Sequence, residues 1–211
     1  MTSTRNTVLP PDTLLVISAL PLTREAFAPY GDVVAPPDAA GSAANQGTAE
    51  RHDFLGQVVN LRSPGHGLGN ELVNPPAVPN LCIFRVTPTP VLPFPIRLLE
   101  RHRYSNQLFI PMTPPTNGSR AYLVIVATSD SSQTRPDLST LKAFIASSTQ
   151  AINYGPGVWH HPMVGLERPT DFVCLVHERR GNMVLEDEDT EEVFFDRIVE
   201  VAVEGFAGVL V

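Results

Sequence analysis

The sequence predicts an all-β barrel with only short helices. Its 21 prolines are scattered along the whole chain, and because each one interrupts helical hydrogen bonding, few windows remain for a long helix. From Leu81 onward, short runs of alternating residues recur at regular intervals, which is typical of a sandwich or barrel. With 211 residues, 43% of them hydrophobic, the chain can bury the core of one domain. We expect a single domain over residues 1–211, with 1–19 and 185–211 as less well defined extensions.

A short helix is predicted near the N-terminus, within Pro21–Gly31. Thr23 is a candidate N-cap, because its hydroxyl can accept a hydrogen bond from the first helical turn. Glu25 lies near the positive end of the helix dipole. Gly31 is a typical residue at which a helix ends.

The rest of the chain is predicted to form strands separated by turns. Asp32–Ala35 is expected to be a strand and Pro36–Glu50 a long loop. Gly56–Asn80 is expected to be an irregular insertion or lid, and the acidic run Glu186–Glu192 a solvated surface segment. The later strands are expected at Leu81–Val86, Arg97–His102, Gln107–Pro111, Arg120–Ala127, Leu141–Ile145, Ala151–Tyr154, Phe172–Val176 and Ile198–Val203.

Charge and hydropathy exclude several classes of protein. The net charge is −7 and the 15 Lys and Arg residues are dispersed, which argues against binding to nucleic acid. The longest strongly apolar run, Tyr122–Ala127, is too short to cross a bilayer. The first residues are polar and contain no apolar segment typical of a secretion signal. We therefore expect a cytoplasmic protein, with Cys82 and Cys174 as core residues.

Two histidine motifs carry the strongest chemical signal. In cupin barrels, a His-x-His motif followed by Glu supplies three metal ligands, and a later Gly-x-x-His supplies the fourth. The spacings Glu100-x-His102-x4-Gln107 and Gly157-x-x-His160 resemble this pattern, with Glu in place of the first His and Gln in place of the Glu. Because residues two apart on a strand share a face, Glu100 and His102 should both point into the barrel.

Five segments in the same order resemble the ureidoglycolate lyase family, and the match extends from about Leu20 to about Val184. They are Tyr30-Gly-Asp-Val33, Asn45-Gln-Gly-Thr-Ala49 with Arg51, Glu100 to Pro111, Pro136 to Phe144, and Trp159-His-His-Pro162. The resemblance implies a cupin-like barrel, commonly a homodimer, that splits ureidoglycolate to glyoxylate and urea in allantoin and purine degradation. This substrate is a hemiaminal, so cleavage of its C–N bond requires removal of the hydroxyl proton and protonation of the leaving nitrogen.

A divalent metal held by Glu100, His102, Gln107 and His160 would chelate the carboxylate and hydroxyl of such a substrate and lower the hydroxyl pKa. This mixed nitrogen and oxygen set suits nickel, manganese or iron better than a closed zinc site. Without a metal, His102 or His160 becomes the general base and Glu100 an orienting carboxylate. The sequence leaves open whether a metal is required.

Three further residues are candidates for substrate binding. Arg51 could clamp the substrate carboxylate, and Asn45 could bond the urea end. The alternative for Arg51 is a surface ion pair with Glu50 or Asp53. Lys142 lies in an alternating strand, so it either faces the pocket or is solvated.

Adjacent residues on a regular strand face opposite ways, so His160 and His161 cannot both be metal ligands unless the turn breaks the alternation. We assign His160 to the metal, from the Gly-x-x-His spacing. His161 is then an acid, a supporting group or a dimer contact, and Trp159 is expected in the core.

Two other functions stay open. One is an amidohydrolase that attacks the ureido carbonyl and releases ammonia and carbon dioxide. The other is a non-catalytic cupin that binds a small carboxylate or sugar, because one barrel fold hosts many functions. The ordered five-segment match favours the lyase.

Overall fold

Most of the described chain forms β-strands, and the predicted all-β barrel with short helices is confirmed. The structure, a computed structural model, describes residues 3–5, 14–62, 77–113, 120–179 and 189–205. Its α-helix is α1 (Arg24–Phe27), and 3₁₀ turns lie at 45–47 and 138–140. No helix among these residues is long and apolar enough to span a membrane.

The strands are β1 (Ser3–Arg5), β2 (Leu15–Pro21), β3 (Gly31–Val34), β4 (Ser42–Ala44), β5 (Ala49–Arg51), β6 (Val78–Val86), β7 (Phe94–His102), β8 (Gln107–Pro111), β9 (Tyr122–Ala127), β10 (Lys142–Ala146), β11 (Ala151–Tyr154), β12 (Trp159–His160), β13 (Val164–Gly165), β14 (Thr170–Glu178) and β15 (Thr190–Ala202).

Six strands close into a ring. Their order is β7-β15-β2-β10-β9-β12, and the ring closes because β7 pairs with both β12 and β15. β2 pairs in parallel with β10 and β15, whereas β7 pairs antiparallel with its neighbours. One hydrophobic cluster packs on the side of these strands that carries Leu99, Ile125, Trp159 and Val199, which are all fully buried.

A second sheet, in the order β3-β11-β8-β14-β6, covers the opposite side of β9 and its neighbours. Between them lies an aromatic core, in which Phe27 packs edge-on against Phe144 and Phe172 packs edge-on against Tyr122. β9 therefore lies between two cores, and all six of its residues are buried. A strand buried on both faces is continuously apolar, which explains the sequence Tyr122–Ala127.

The short helix begins as predicted, but it ends at Phe27, four residues before the predicted stop at Gly31. The Thr23 hydroxyl accepts a hydrogen bond from the Ala26 amide at 3.2 Å, which is the expected N-cap contact. After the helix, Gly31 adopts a φ of 145°, and a Cβ at this position would lie 2.0 Å from the Asn153 carbonyl oxygen. Only glycine fits where β3 meets β11.

The prediction of a loop over Pro36–Glu50 is wrong in part, because some of this segment forms a hairpin. β4 pairs antiparallel with β5 around the 45–47 turn, where Asn45 and Gln46 both have left-handed backbone conformations. The hairpin sequence is rich in Ala, Gly and Ser, so its strands give no apolar alternation that could have predicted them. We call residues 42–51 the arm.

The prediction that the acidic run Glu186–Glu192 is a solvated surface segment also needs correction. Among its described residues, Asp189 pairs with the buried Arg62 at 2.7 Å and Glu191 pairs with the buried Arg101 at 2.5 Å, so it is not a solvated segment. Residues 186–188 of that run lie outside the described residues, as do residues 63–76 of the predicted insertion. The part of the insertion from 56 to 62 lies against the second sheet, where the backbone amide of Gln57 donates a hydrogen bond to the Asp32 carboxylate.

Candidate metal and active site

Glu100, His102 and His160 converge between the six-stranded ring and the second sheet. Their ligand atoms all lie within 4.8 Å of one another. Gln107, on β8 in the opposing sheet, places its side-chain oxygen 2.9 Å from Nε2 of His160. The structure therefore brings together the four residues whose spacing resembles a cupin metal site.

The local sequence explains this convergence. Glu100 and His102 lie two residues apart on β7 and so share a face. β12 is aligned with β7 so that His160 lies directly opposite Glu100. The turn before β12 is fixed by Gly157, which has a φ of 76° and donates its amide to the His102 carbonyl at 2.8 Å. This hydrogen bond ties the turn to the end of β7 and sets the position of His160.

The hydrogen bonds of the two histidines leave Nε2 of each ring facing the centre. Nδ1 of His160 lies 3.0 Å from the Val158 carbonyl, and its Nε2 lies 2.9 Å from the Gln107 side-chain oxygen and 3.5 Å from the Glu100 carboxylate. Nδ1 of His102 lies 3.4 Å from the Thr190 hydroxyl, and its Nε2 is buried with no partner among the described residues. Metal-binding histidines commonly donate the other ring nitrogen to a backbone carbonyl or similar group. An orphaned, buried lone pair beside a carboxylate and an amide oxygen fits a divalent cation.

Aromatic packing holds the His160 ring. Tyr154, on β11, stacks on it with ring centroids 4.1 Å apart and planes 11° apart. The ring of His102 stacks on the other histidine at 5.8 Å. The rings of Tyr154 and His102 both stack on His160 and restrict its rotation, and the His160 side chain is only 2% exposed. Tyr154 was not predicted as a site residue, because its alignment with Gln107 depends on the pairing of β11 with β8, which the sequence does not show.

Burial and charge determine the protonation of the centre. Burial, with a smaller contribution from the nearby His160, lowers the pKa of His102 to about 4, so His102 is neutral at pH 7. Burial alone would raise the pKa of Glu100, but the hydrogen bond from His160 and the positive potential of the three histidines bring it below its usual value. The centre therefore combines an anionic carboxylate with a neutral imidazole.

His161 faces away from this cluster. Its ring packs edge-on against Phe94 at 5.1 Å, and Nδ1 lies 2.7 Å from the Pro162 carbonyl. Burial lowers the pKa of His161 as well. Of the roles left open for it, these contacts support a buried, structural position beside Glu100. Trp159 is buried in the core, as expected.

Arg101 lies on the other face of β7, between the two metal-ligand candidates in sequence. Its guanidinium is 2% exposed, stacks over Trp159 at 4.3 Å and binds Glu191, Ser129 and the Gln133 carbonyl. Because Trp159 precedes His160, this buried cation supports the strand that carries the site.

The candidate substrate-binding residues lie farther out. Arg51 and Asn45 are on the exposed arm, and Arg51 forms the surface ion pair with Asp53 at 2.7 Å that was its alternative assignment. The side chain of Lys142 is exposed, but the register aligns it with Val126 and Val126 with His160. Lys142 therefore shares the face of the metal-ligand candidates at a distance of two strands, roughly 10 Å.

Comparisons with known proteins agree in one description. A family model described as ureidoglycolate lyase matches residues 14–202. A Burkholderia mallei protein named ureidoglycolate lyase is 38% identical over 159 residues, covering 75% of this chain and 81% of its own length. An Escherichia coli O9:H4 protein of the same name is 35% identical over 179 residues, covering 85% of this chain and 98% of its own length.

A solved structure, RmlC from Streptococcus suis in complex with dTDP-D-xylose, covers 81% of this chain and 75% of its own. It is 11% identical to this chain, and the TM-score of 0.33 indicates only weak structural similarity.

Proposed function

The chain belongs to the ureidoglycolate lyase family, and from this premise we propose that it cleaves ureidoglycolate to glyoxylate and urea. The observation that carries the proposal is the convergence of Glu100, His102 and His160 within 4.8 Å at a buried, polar point of the barrel. We propose further that the enzyme is a cytoplasmic homodimer that acts in allantoin degradation, as the resemblance to the family implies.

The reaction needs one proton to move between two atoms of the substrate. The central carbon of ureidoglycolate carries a carboxylate, a hydroxyl and the ureido nitrogen. When the hydroxyl loses its proton, its electron pair forms the aldehyde C=O bond of glyoxylate, and the C–N pair leaves with nitrogen. Protonation of that nitrogen gives urea. No water is consumed, so the same proton can return to the leaving group.

His102 is suited to carry that proton. Its buried Nε2 has no hydrogen-bond partner among the described residues, and the depressed pKa keeps the imidazole unprotonated before the substrate binds. Glu100, held anionic beside it, stabilises the imidazolium that forms when His102 accepts the hydroxyl proton. The imidazolium then donates this proton to the departing nitrogen.

The four converging residues also fit a divalent metal. Glu100, His102, Gln107 and His160 would hold it through oxygen and nitrogen, the donor set that suits nickel, manganese or iron. When bound, such an ion supplies a Lewis acid that lowers the pKa of a coordinated hydroxyl. His160 and Gln107 would act as positioning ligands, with Tyr154 fixing the imidazole plane, and Nε2 of His102 would bind the ion and no longer accept a proton.

A product assay with and without chelator tests the proposal. The purified protein is incubated with racemic ureidoglycolate, and we expect glyoxylate and urea in equal amounts from one enantiomer. Activity that survives chelation assigns the proton transfer to His102 alone, whereas activity lost on chelation and restored by nickel, manganese or iron assigns the metal a role. Release of ammonia without urea would instead identify an amidohydrolase, and absence of turnover with every metal would indicate a binding protein.

A further inference from the structure

Phe54 is an exposed aromatic residue in a strained conformation. Its side chain is fully exposed, at 101% of the reference value. Its backbone has a φ of 58°, in the left-handed region that bulky residues rarely adopt. Such a conformation is energetically unfavourable for a bulky residue and persists where surrounding contacts hold it. Within the described part of the protomer, no contact with the Phe54 ring compensates for this cost.

A cleft large enough for that ring lies on the same side of the molecule. It has a volume of about 280 Å³ and lies over the outer face of the second sheet, where Val34, Ile110 and Ala151 form its floor. His52 and Leu55, which flank Phe54 in sequence, form part of its wall. A cavity of about 150 Å³ lined by aliphatic side chains takes up benzene, so a phenyl ring fits here. Phe54 stands at the rim of its own cleft and lies outside it.

The outer face beside the cleft is apolar. Ile83, Val173 and Ile110 lie in one row across β6, β14 and β8, and they alternate with the partly buried Cys82 and the buried Cys174 and Phe109, which shows that they face outward. Leu81, Leu175 and Leu108 form the next row. Leu81 and Ile83 are 71% and 57% exposed. A contiguous apolar face of this kind marks an interaction surface.

We propose that this face, which we call the Phe54 face, joins two copies of the chain, with Phe54 of each protomer inserted into the cleft of the other. The proposal rests on the homodimer proposed above, and is independent of the reaction. A projection and a matching cleft on the same face of one chain are self-complementary. A two-fold axis therefore makes the same contact twice and leaves neither element exposed.

The apolar area matches what a dimer requires. Phe54 exposes on the order of 200 Å². Partly exposed aliphatic side chains on or beside the sheet bring the total to roughly 500 Å² per protomer; they are Val58, Leu81, Ile83, Ile110 and Met112. A standard interface buries about 800 Å² on each partner, of which about 60% is apolar. The Phe54 face supplies that apolar share.

The interface also places the arm next to the partner. The arm ends at Arg51 and the chain reaches Phe54 three residues later, so insertion of Phe54 brings the arm against the second copy. The two strands of the arm and the turn between them pack on one another. Among the described residues, no other helix or strand packs extensively against the arm. The dimer thus gives Asn45 and Arg51 a surface to contact that the protomer alone does not supply.

Sedimentation of the full chain tests the interface. We expect the wild type to be a dimer and Phe54→Asp to raise the dimer dissociation constant at least about 100-fold, because an interface aromatic is lost twice. Val91→Asp is the matched control, since Val91 is 53% exposed on the turn between β6 and β7, and we expect it to leave the constant unchanged. A monomeric wild type, a Phe54→Asp protein that dimerises normally, or an equal loss in both variants would overturn the proposal.

A second pair of variants guards against a folding defect. Ile110→Lys alone should also weaken the dimer, because it puts a charge in the cleft. The double variant Phe54→Asp with Ile110→Lys should recover at least about 10-fold of the lost affinity, since the new charges meet across the interface. Additive losses in the double variant would contradict the insertion of Phe54 into the cleft. Urea release by the dimeric protein is measured separately, so failure of the interface and failure of the lyase are distinguishable.

Discussion

His160 lies directly opposite Glu100 in the ladder between β12 and β7, with Nε2 of the imidazole 3.5 Å from the carboxylate. β12 has only two residues, and its register is fixed by the Gly157 amide bound to the His102 carbonyl. A shift by one residue would turn His160 away from the second sheet and His161 towards it. The chemistry of the site thus depends on one turn hydrogen bond.

Loss of either histidine should impair both metal binding and catalysis. His102→Ala and His160→Ala each remove one nitrogen from the cluster, and we expect kcat to fall roughly 10²- to 10⁴-fold, as for the loss of a general acid–base group. Affinity for nickel or manganese, measured by titration calorimetry, should fall at least about 10-fold in each. His177→Ala is the control, because His177 lies on β14 outside the cluster. Equal kcat values in wild type and His102→Ala would exclude the proposed proton transfer.

The sequence predicted some strands accurately and missed others, including one that carries a site residue. β8 and β11 match their predicted bounds because both begin and end at changes in apolar patterning. β12 was not predicted, since two residues show no periodicity, yet its Gly-x-x-His spacing identified His160. β2 was missed because it lies within a segment taken as a less well defined extension.

The surroundings of the site depend on contacts between distant residues. Because Arg101 lies between Glu100 and His102 in sequence, strand alternation predicts only that it points to the other face of β7. Its burial against Glu191 requires β15 to pair with β7 across about 90 residues. The same pairing brings Thr190 to His102. No local pattern predicts such a partner, and acidic runs are usually solvated.

Arg51 provides a test of substrate clamping. If it binds the substrate carboxylate in ground and transition states alike, Arg51→Ala should raise KM about 10-fold or more and leave kcat nearly unchanged. Arg85→Ala is a matched control, because Arg85 forms a similarly exposed ion pair with Asp171, at 2.8 Å against 2.7 Å for Arg51 and Asp53. Steady-state kinetics measure both constants. An unchanged KM in Arg51→Ala would leave the arginine as a surface ion pair only.

Glu191 should be important for stability. Its carboxylate neutralises Arg101, which is 2% exposed, and also binds Arg103. Glu191→Gln leaves a buried guanidinium without its counter-charge, which typically costs about 3–5 kcal/mol of unfolding free energy. Asp171→Asn, which removes the partner of the exposed Arg85, should cost less than about 1 kcal/mol. Urea denaturation followed by circular dichroism compares the two, and similar losses would mean that Arg101 finds another partner.

The metal-free protein should lose stability as the pH falls from about 6.5 to about 4. Burial lowers the pKa of His102 from 6.5 to about 4, so over this range the unfolded chain binds a proton that the folded protein does not. Stability therefore rises with pH between these values, and the His102 contribution is complete above about 6.5. Because one pKa unit corresponds to about 1.4 kcal/mol, the change is on the order of 3 kcal/mol.

His102→Asn should flatten that dependence, since no imidazole remains to be protonated on unfolding. Part of the slope should persist, because burial also lowers the pKa of His161. The lowered pKa of Glu100 adds a loss of stability in the same direction, but only as the pH falls below its unfolded value of about 4.5. Urea denaturation of chelator-treated protein at intervals between pH 7 and pH 4 measures the slope. If wild type and His102→Asn have the same slope, His102 is not held neutral by the fold, and its assignment as the proton acceptor is wrong.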